Sequence, residues 1–359
     1  MNNIVLKSVS ARNFASFAEE VVLTTEIDAT KKEFLENTFK FGDEDYNKVS
    51  FIYGANGSGK TYFCKIIREI QRLLAWSPLS AMSNFNDQLL SRPEFKSLDY
   101  AITPFAFDDG YKEKPICFKI EIVINKTTYH YEFSILGKKV VHELLTKKLR
   151  RTEKLLERTS PNNKDITLRS ELKNFESTKQ VVKEEALCLP IAALLNNELA
   201  GEIVTAITEI QVINMAAARL DPANSNASFT EDRIAKYIEI LKRADPTLRE
   251  MKVSYEEKEI ERLKTESSDF ENREIITKKT TVDVKTKHAM FKNGKEISNK
   301  EIDFFQAESL GTVKLFTALP YLFDVLEGGG VIIIDEIENG LHLSLTREIV
   351  NLFLSERSN

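Results

Sequence analysis

Three features predict a mixed α/β fold built on a phosphate-binding loop, and they lie toward the two ends of this 359-residue chain. Gly54-Ala55-Asn56-Gly57-Ser58-Gly59-Lys60-Thr61 fits the spacing G-x-x-x-x-G-K-[ST]. Its flanks suit it. Residues 49–53 (V-S-F-I-Y) are a short β-rich run, and Phe63, Ile66, Ile67, Ile70, Leu73 and Leu74 recur at helical spacing behind it. Far downstream, Val331-Ile332-Ile333-Ile334-Asp335-Glu336 sets four β-branched residues before two acids, the pattern of a central parallel strand buried on both faces. Together these predict a P-loop NTPase fold.

The chemistry explains the residue types. Glycines at 57 and 59 let backbone N–H groups of the loop, with Asn56, Ser58 and Tyr62 around them, converge on phosphate oxygens where side chains would block the approach. The helix start that follows adds partial positive charge. Lys60 would reach the β- and γ-phosphates of ATP, and the Thr61 hydroxyl would take a place on Mg²⁺. Asp335 would hold the same Mg²⁺, and Glu336 would orient and deprotonate an attacking water. An ordinary glycine turn also joins strands to helices, but all four specified positions of the eight-residue pattern matched, with both flanks correct, favour the phosphate site. Upstream of the acids, Glu308-Ser309-Leu310-Gly311-Thr312 opens a helix through Leu315, Leu319 and Leu322. Ser309 and Gly311 suit either a second anion site or a simple N-cap, and the residues leave both readings open.

The composition, 42% hydrophobic and 29% charged, supports a sizeable core and excludes global disorder. A net charge of −5 gives no overall push toward DNA or an anionic membrane, and a local basic groove stays open. Cys64, Cys117 and Cys188 are odd in number and far apart, as buried reduced thiols are. His130, His142, His288 and His342 form no zinc-binding spacing. With no membrane-length apolar run and no signal-peptide h-region, a cytoplasmic protein is expected.

Along the chain, residues 4–10 and 21–23 read as strands around a turn at 12–17, and 26–47 as a polar loop with one short helix. Residues 77–100 read as a loop with a helical segment. Residues 118–123 and 128–134 read as strands joined by a hairpin at Asn125-Lys126, with a third strand at 140–145. The Lys-, Arg- and Glu-rich stretch 147–185 reads as a solvated surface rather than a nucleic-acid contact, because acids interleave with the bases. Residues 187–214 form the most apolar helical stretch, with a break at Ala200-Gly201, and Leu187, Leu189, Leu194 and Leu195 are expected to be buried. Residues 221–228 read as a loop, and 229–244 as a helix capped by Thr230. Residues 251–255 and 275–284 suit strands, and Asn293-Gly294 marks a tight hairpin. The expected division is 1–146, 147–250 as a mainly helical insert, and 251–359.

The order R-N-F-x-S-F (12–17), G-A-N-G-S-G-K-T, E-S-L-G-T and I-D-E-I-E-N-G-L-H resembles the ABC-type AAA ATPases of bacterial anti-phage defence. These are stand-alone relatives of the OLD (overcoming lysogenization defect) ATPases, and they include the ATPase subunit of PARIS systems; SMC-type repair ATPases are more distant. The likeness covers roughly residues 1–145 and 250–350. It implies an ABC-ATPase head, a mixed sheet plus an antiparallel β subdomain, split around a helical insert. It also implies ATP sandwiched between two subunits of a homodimer or larger ring, with Ser309 and Gly311 facing the γ-phosphate held by a partner. His342 falls in the D-loop region, where Asp is common, and Arg12 and Asn13 would lie near the base or the phosphate loop. No Gln stands in the Q-loop region near Phe105 to Asp109. The family continues beyond the acids with a strand ending in a switch histidine, so this sequence is expected to be truncated or to be completed by another segment. No TOPRIM-like segment follows the acids, so a nuclease effector is expected on a separate polypeptide.

The resemblance thus implies an ATP-hydrolysing sensor or scaffold subunit of an abortive-infection system, controlling a separate toxic effector and responding to a phage trigger. Three rivals stand beside it. An SMC-like repair ATPase would want long coiled-coil arms, and 147–250 is too short and broken for them. A small-molecule kinase would want a phosphoacceptor site, whereas glutamate after aspartate favours attack by water. The third is a nucleotide-gated scaffold with little turnover.

Overall fold

In the computed structural model, residues 4–27, 35–82, 102–177, 179–217, 229–265 and 273–355 are described. Of the loop expected at 77–100, residues 77–82 are helical, and 83–100 lie outside the described residues, as does the loop expected at 221–228. The chain divides into two units. The first is Met1–Val212 with Val325–Asp335 and Phe353–Asn359; the second is Ile213–Asp324 with Glu336–Leu352.

The first unit holds β1 (Ile4–Arg12), β2 (Val21–Thr24), β3 (Thr38–Phe41), β4 (Glu44–Asn47), α1 (Lys60–Met82), β5 (Ile116–Ile124), β6 (Thr127–Leu136), β7 (Lys139–Lys148), β8 (Thr152–Arg158), β9 (Ile166–Leu168), α2 (Cys188–Leu194) and α3 (Glu198–Thr208). Seven strands form one sheet in the order β2-β1-β5-β6-β7-β8-β9, and its pairings are antiparallel. The period-2 pattern of β6 shows why. Tyr129, Tyr131, Phe133 and Ile135 are buried, while His130, Glu132 and Ser134 between them are half-exposed. The buried face packs on Ile66, Ile67, Ile70 and Leu74 of α1 and on Leu189, Ile203 and Ile207 of α2 and α3. Each such side chain contributes roughly 1.5–3 kcal/mol. At the β5–β6 turn Asn125 and Lys126 have φ of 49° and 66°, as the hairpin reading requires.

Several expectations change. Residues 26–47 hold the hairpin β3–β4, whose Phe39 and Phe41 pack with Tyr46, Val5 and Val123. The charged stretch from 147 is no solvated surface throughout. It supplies β8 and β9, with Leu155, Leu156 and Ile166 in the core. Arg158 is 0% exposed and donates to the carbonyls of Ser160, Ala186 and Lys183. Beside it, buried Glu143 accepts from Tyr131 Oη and from the first amides of α2, Cys188 and Leu189. Its sheet strands run through residue 147, so helical structure begins later than the expected insert. The helix break falls at Asn197, which caps α3 by accepting from Ala200 N, and Gly201 sits inside α3. Leu187 and Leu189 are buried, while Leu194 and Leu195 are about half-exposed at 47% and 45%.

Residues 49–53 form no strand among the described residues, and Tyr53 is 85% exposed. Strand propensity is realised only against a partner ladder, and none lies on this run. The second acid-bearing run does form β14 (Ile332–Asp335), but it is half-buried rather than enclosed, in a two-stranded sheet with β10 (Gln211–Asn214).

The second unit carries α4 (Glu231–Leu241), β11 (Leu248–Thr265), β12 (Arg273–Lys292), β13 (Lys295–Asp303), the short α5 (Phe304–Ala307), most of α6 (Leu310–Gly328) and of α7 (Leu343–Leu354). Thr230 caps α4 by accepting from Arg233 N, as read from sequence. The strands β11-β12-β13 form an antiparallel sheet, and Asn293 and Gly294 take φ of 52° and 75° at its second turn. An aromatic cluster of Phe229, Tyr237, Phe304, Phe316 and Phe323 ties α4, α5 and α6 together. Among the described residues no helix is long and apolar enough to cross a membrane.

Candidate phosphate-binding site

The turn after β1 shapes the glycine loop. Asn13 and Ala15 adopt left-handed φ of 54° and 52°, which folds Phe14 back so that its amide donates to Phe17 O at 2.9 Å. Asn13 is 2% exposed, and its side chain is fully used. Its amide nitrogen donates to Tyr111 O and Lys114 O at 2.9 Å each, and its oxygen accepts from Phe105 N at 2.9 Å. It braces the turn on the segment around 105–114 and offers nothing to a nucleotide. Arg12 is exposed and donates to Cys117 Sγ at 3.4 Å, which holds its guanidinium pKa up.

Phe14 and Phe17 then pack on the start of α1. Phe14 meets Tyr62 edge-on at 6.1 Å, and Phe17 lies 5.4 Å from Phe63. Tyr62 is therefore a packing residue, with Lys65 Nζ 4.4 Å from its ring centroid. Gly59 sits under this aromatic wall at φ 95°. A Cβ there would come within 2.8 Å of Phe17 Cε1 and of Ser16 Oγ, so only glycine fits. Gly57, at φ 80°, faces open space. Asn56, Gly57 and Ser58 are exposed, and Ser58 N donates to Ala55 O at 3.1 Å.

Lys60 turns back on the loop, donating from Nζ to Gly54 O at 2.6 Å and Ala55 O at 3.0 Å. Thr61 Oγ1 donates to Asp335 Oδ1 at 3.4 Å, joining two residues far apart in sequence. Asp335 is buried at the end of β14. Two oxygen ligands in adjacent positions of an octahedral Mg²⁺ lie about 3 Å apart, so this pair fits that ion. Cys64, one turn on, is held protonated: burial, with the Asp335 charge, pushes its thiol up to about 12.

In the second unit Ser309 does act as a helix cap. Its hydroxyl accepts from Thr312 N at 3.2 Å and lies 2.9 Å from Thr312 Oγ1. Gly311 is required by space, because a Cβ there would meet Gly340 O at 2.8 Å. Glu336 is exposed and adopts φ 53°, and its Oε2 accepts from Asn339 Nδ2 at 3.1 Å. His342 caps α7: its Nδ1 is 2.8 Å from Ser344 Oγ and accepts from Ser344 N at 3.3 Å. No local spacing reveals the cluster Asp245, His288 and Glu308. His288 Nδ1 lies 3.0 Å from Asp245 Oδ2, and Nε2 lies 2.9 Å from Glu308 Oε1. The acids face opposite ring nitrogens, so the trio reads as a hydrogen-bonded bridge and not one ion's ligand set. Burial pushes the Glu308 carboxyl up, against the pull of His288.

Residues 216–359 match the family described as “AAA domain, putative AbiEii toxin, Type IV TA system”. The matched segment is less than half the chain; it contains Ser309, Asp335, Glu336 and His342 and leaves out the glycine loop. No curated protein matches the chain significantly. The match and the mixed α/β architecture together fit a P-loop NTPase fold, and an AAA domain points to nucleotide binding in a defence-related setting.

Proposed function

We propose that this chain is an ATP-binding and ATP-hydrolysing subunit of an anti-phage, abortive-infection system that controls a separate toxic effector, a nuclease of the TOPRIM type. The observation that carries the nucleotide reading is the Thr61–Asp335 approach at 3.4 Å beneath a glycine loop. On this reading Thr61 and Asp335 would hold Mg²⁺, which would supply charge neutralisation at the phosphates. Lys60 exchanges its two carbonyl acceptors for phosphate oxygens, a stronger charge-assisted partner. The loop amides of 56–61 line the phosphates. Glu336 accepts a proton from water as the water oxygen bonds to the γ-phosphorus and the bond to ADP breaks.

Ser309 and Gly311 open α6, a 19-residue helix whose N-terminus would face the γ-phosphate held by another copy. This makes the working form a homodimer or larger ring. His342, and more weakly Arg12, stand near such a site in the resembled heads, and the segments 1–146 and 251–359 would form the head around 147–250. The defence role rests on the family match and the motif order.

Purified chain should hydrolyse ATP with Mg²⁺, and Glu336→Gln should cut turnover by about 10²–10⁴-fold while trapping ATP. Native mass with and without ATP, alone and with the neighbouring-gene product, should show nucleotide-dependent assembly. Wild-type ATP binding without turnover would favour the nucleotide-gated scaffold instead. DNA-stimulated turnover without any effector partner would favour the SMC-like repair reading.

A further inference from the structure

We propose that Lys314 and Asn339 form a positioning relay that holds Glu336 and links its orientation to the start of α6; the proposal rests on the hydrolase reading above. Lys314 is 9% exposed, and a buried ammonium ordinarily sits against a carboxylate. Among the described residues its hydrogen-bond acceptors are instead two neutral oxygens of one residue, Asn339 O at 2.9 Å and Asn339 Oδ1 at 2.6 Å. Such a cation is costly for stability alone, which points to a role in orienting its partner.

The donor inventory then dictates the rest. An ammonium carries donors only, so the Asn339 amide must turn its oxygen toward Lys314. Its NH₂ is left facing outward, where it donates to Glu336 Oε2 at 3.1 Å. Asn339 N also donates to Glu336 O at 2.8 Å, closing the turn in which Glu336 takes its left-handed φ of 53°. One carboxylate oxygen is thereby held, and Oε1 is the one presented to water.

Two glycines keep the approach open. A Cβ at Gly340 would meet Lys314 Nζ at 3.1 Å, and a Cβ at Gly311 would meet Gly340 O at 2.8 Å. Lys314 stands one turn into the helix that Ser309 caps, so a displacement of the helix start moves the ammonium, the amide and the carboxylate in sequence. Lys314 and Asn339 are positioning residues; neither is assigned contact with the reacting atoms.

The test uses the full chain with Lys314→Met, which keeps the stem and removes the donors, and Asn339→Ala, whose exposed side chain makes misfolding a minor concern. Each should lower kcat about tenfold or more, with the ATP dissociation constant within about twofold of wild type. Lys314→Arg should restore part of the loss. In a Glu336→Gln background neither substitution should lower residual turnover further, a non-additivity that a merely structural role would not produce. Without nucleotide, the Tm shifts of Lys314→Met and Asn339→Ala should also fail to add. Wild-type kcat in Lys314→Met and Asn339→Ala, or fully additive losses with Glu336→Gln, would overturn the relay and leave the hydrolase reading intact. Absence of Mg²⁺-dependent turnover in the wild-type chain would overturn both.

Discussion

The glycine loop and the segment 309–340 are both built for close approach, yet by different means. At the loop the shape is steric. Phe14 and Phe17 meet Tyr62 edge to face, Phe17 packs tilted on Phe63, and Gly59 fits beneath them only because it lacks a Cβ. In the 309–340 segment the shape is largely polar: Ser309 caps through Thr312, and Lys314 orients Asn339 on Glu336. Steric devices fail all at once when a single atom is added. Hydrogen-bonded ones lose function in steps and recover with conservative substitutions, because each net bond is worth only about 1 kcal/mol.

The largest expected effect is at the steric end. Gly59→Ala forces a Cβ into a 2.8 Å approach at φ 95°. Backbone strain and overpacking together should cost about 2–4 kcal/mol in a urea melt, and ATP binding should be lost in calorimetry. A stable Gly59→Ala chain that still binds ATP would break the comparison.

A middle effect sharpens the polar side, on the other face of the sheet that supports α1. His130 lies between Glu121 Oε1 at 3.2 Å and Glu132 Oε2 at 3.1 Å. Its bonds to these two carboxylates outweigh burial and raise its pKa to about 9. A pKa raised in the folded state means stability that is fully present below about 6.5 and is lost as pH rises through about 9. The side chain is 27% exposed and its acids share the interaction, so the contribution is on the order of 1–2 kcal/mol. Denaturant midpoints should fall between pH 6.5 and 9 in wild type and change less in His130→Gln. A His130→Gln curve parallel to wild type would contradict this.

The smallest effect is at Tyr62. Its ring carries the packing, so Tyr62→Phe should change stability by less than about 0.5 kcal/mol and leave ATP affinity within about twofold. A large affinity loss would mean that the hydroxyl meets nucleotide after all.

What was legible in the sequence is what is local. The loop spacing, the helix behind it, the Thr230 cap and the two hairpin turns with positive φ each depend on a few adjacent residues, and each is found. Features that depend on distant residues do not show in the local sequence. The charged run after 147 hides β8 and β9 because Glu153, Lys154 and Glu157 of β8 stand at exposed or partly exposed positions beside buried Leu155 and Leu156, and β9 is only three residues long. Arg158 is buried only because a distant loop supplies its carbonyls. Residues 49–53 have strand composition without a ladder to join. Asn13, marked for the nucleotide, is spent on the segment 105–114. Lys314 and Asn339 meet by tertiary packing alone, so no spacing rule would have paired them.

The central claim is that the glycine loop and the end of β14 make one metal-assisted nucleotide site. Isothermal calorimetry of ATP binding, with and without Mg²⁺, on wild type, Lys60→Ala and Asp335→Asn tests it most directly. Lys60→Ala should weaken ATP more than about tenfold, since each charge-assisted bond contributes roughly 1.5–3 kcal/mol, and should leave the fold intact. Asp335→Asn should remove the gain in affinity that Mg²⁺ confers on wild type. Equal, Mg²⁺-dependent ATP affinity in all three chains would contradict the account.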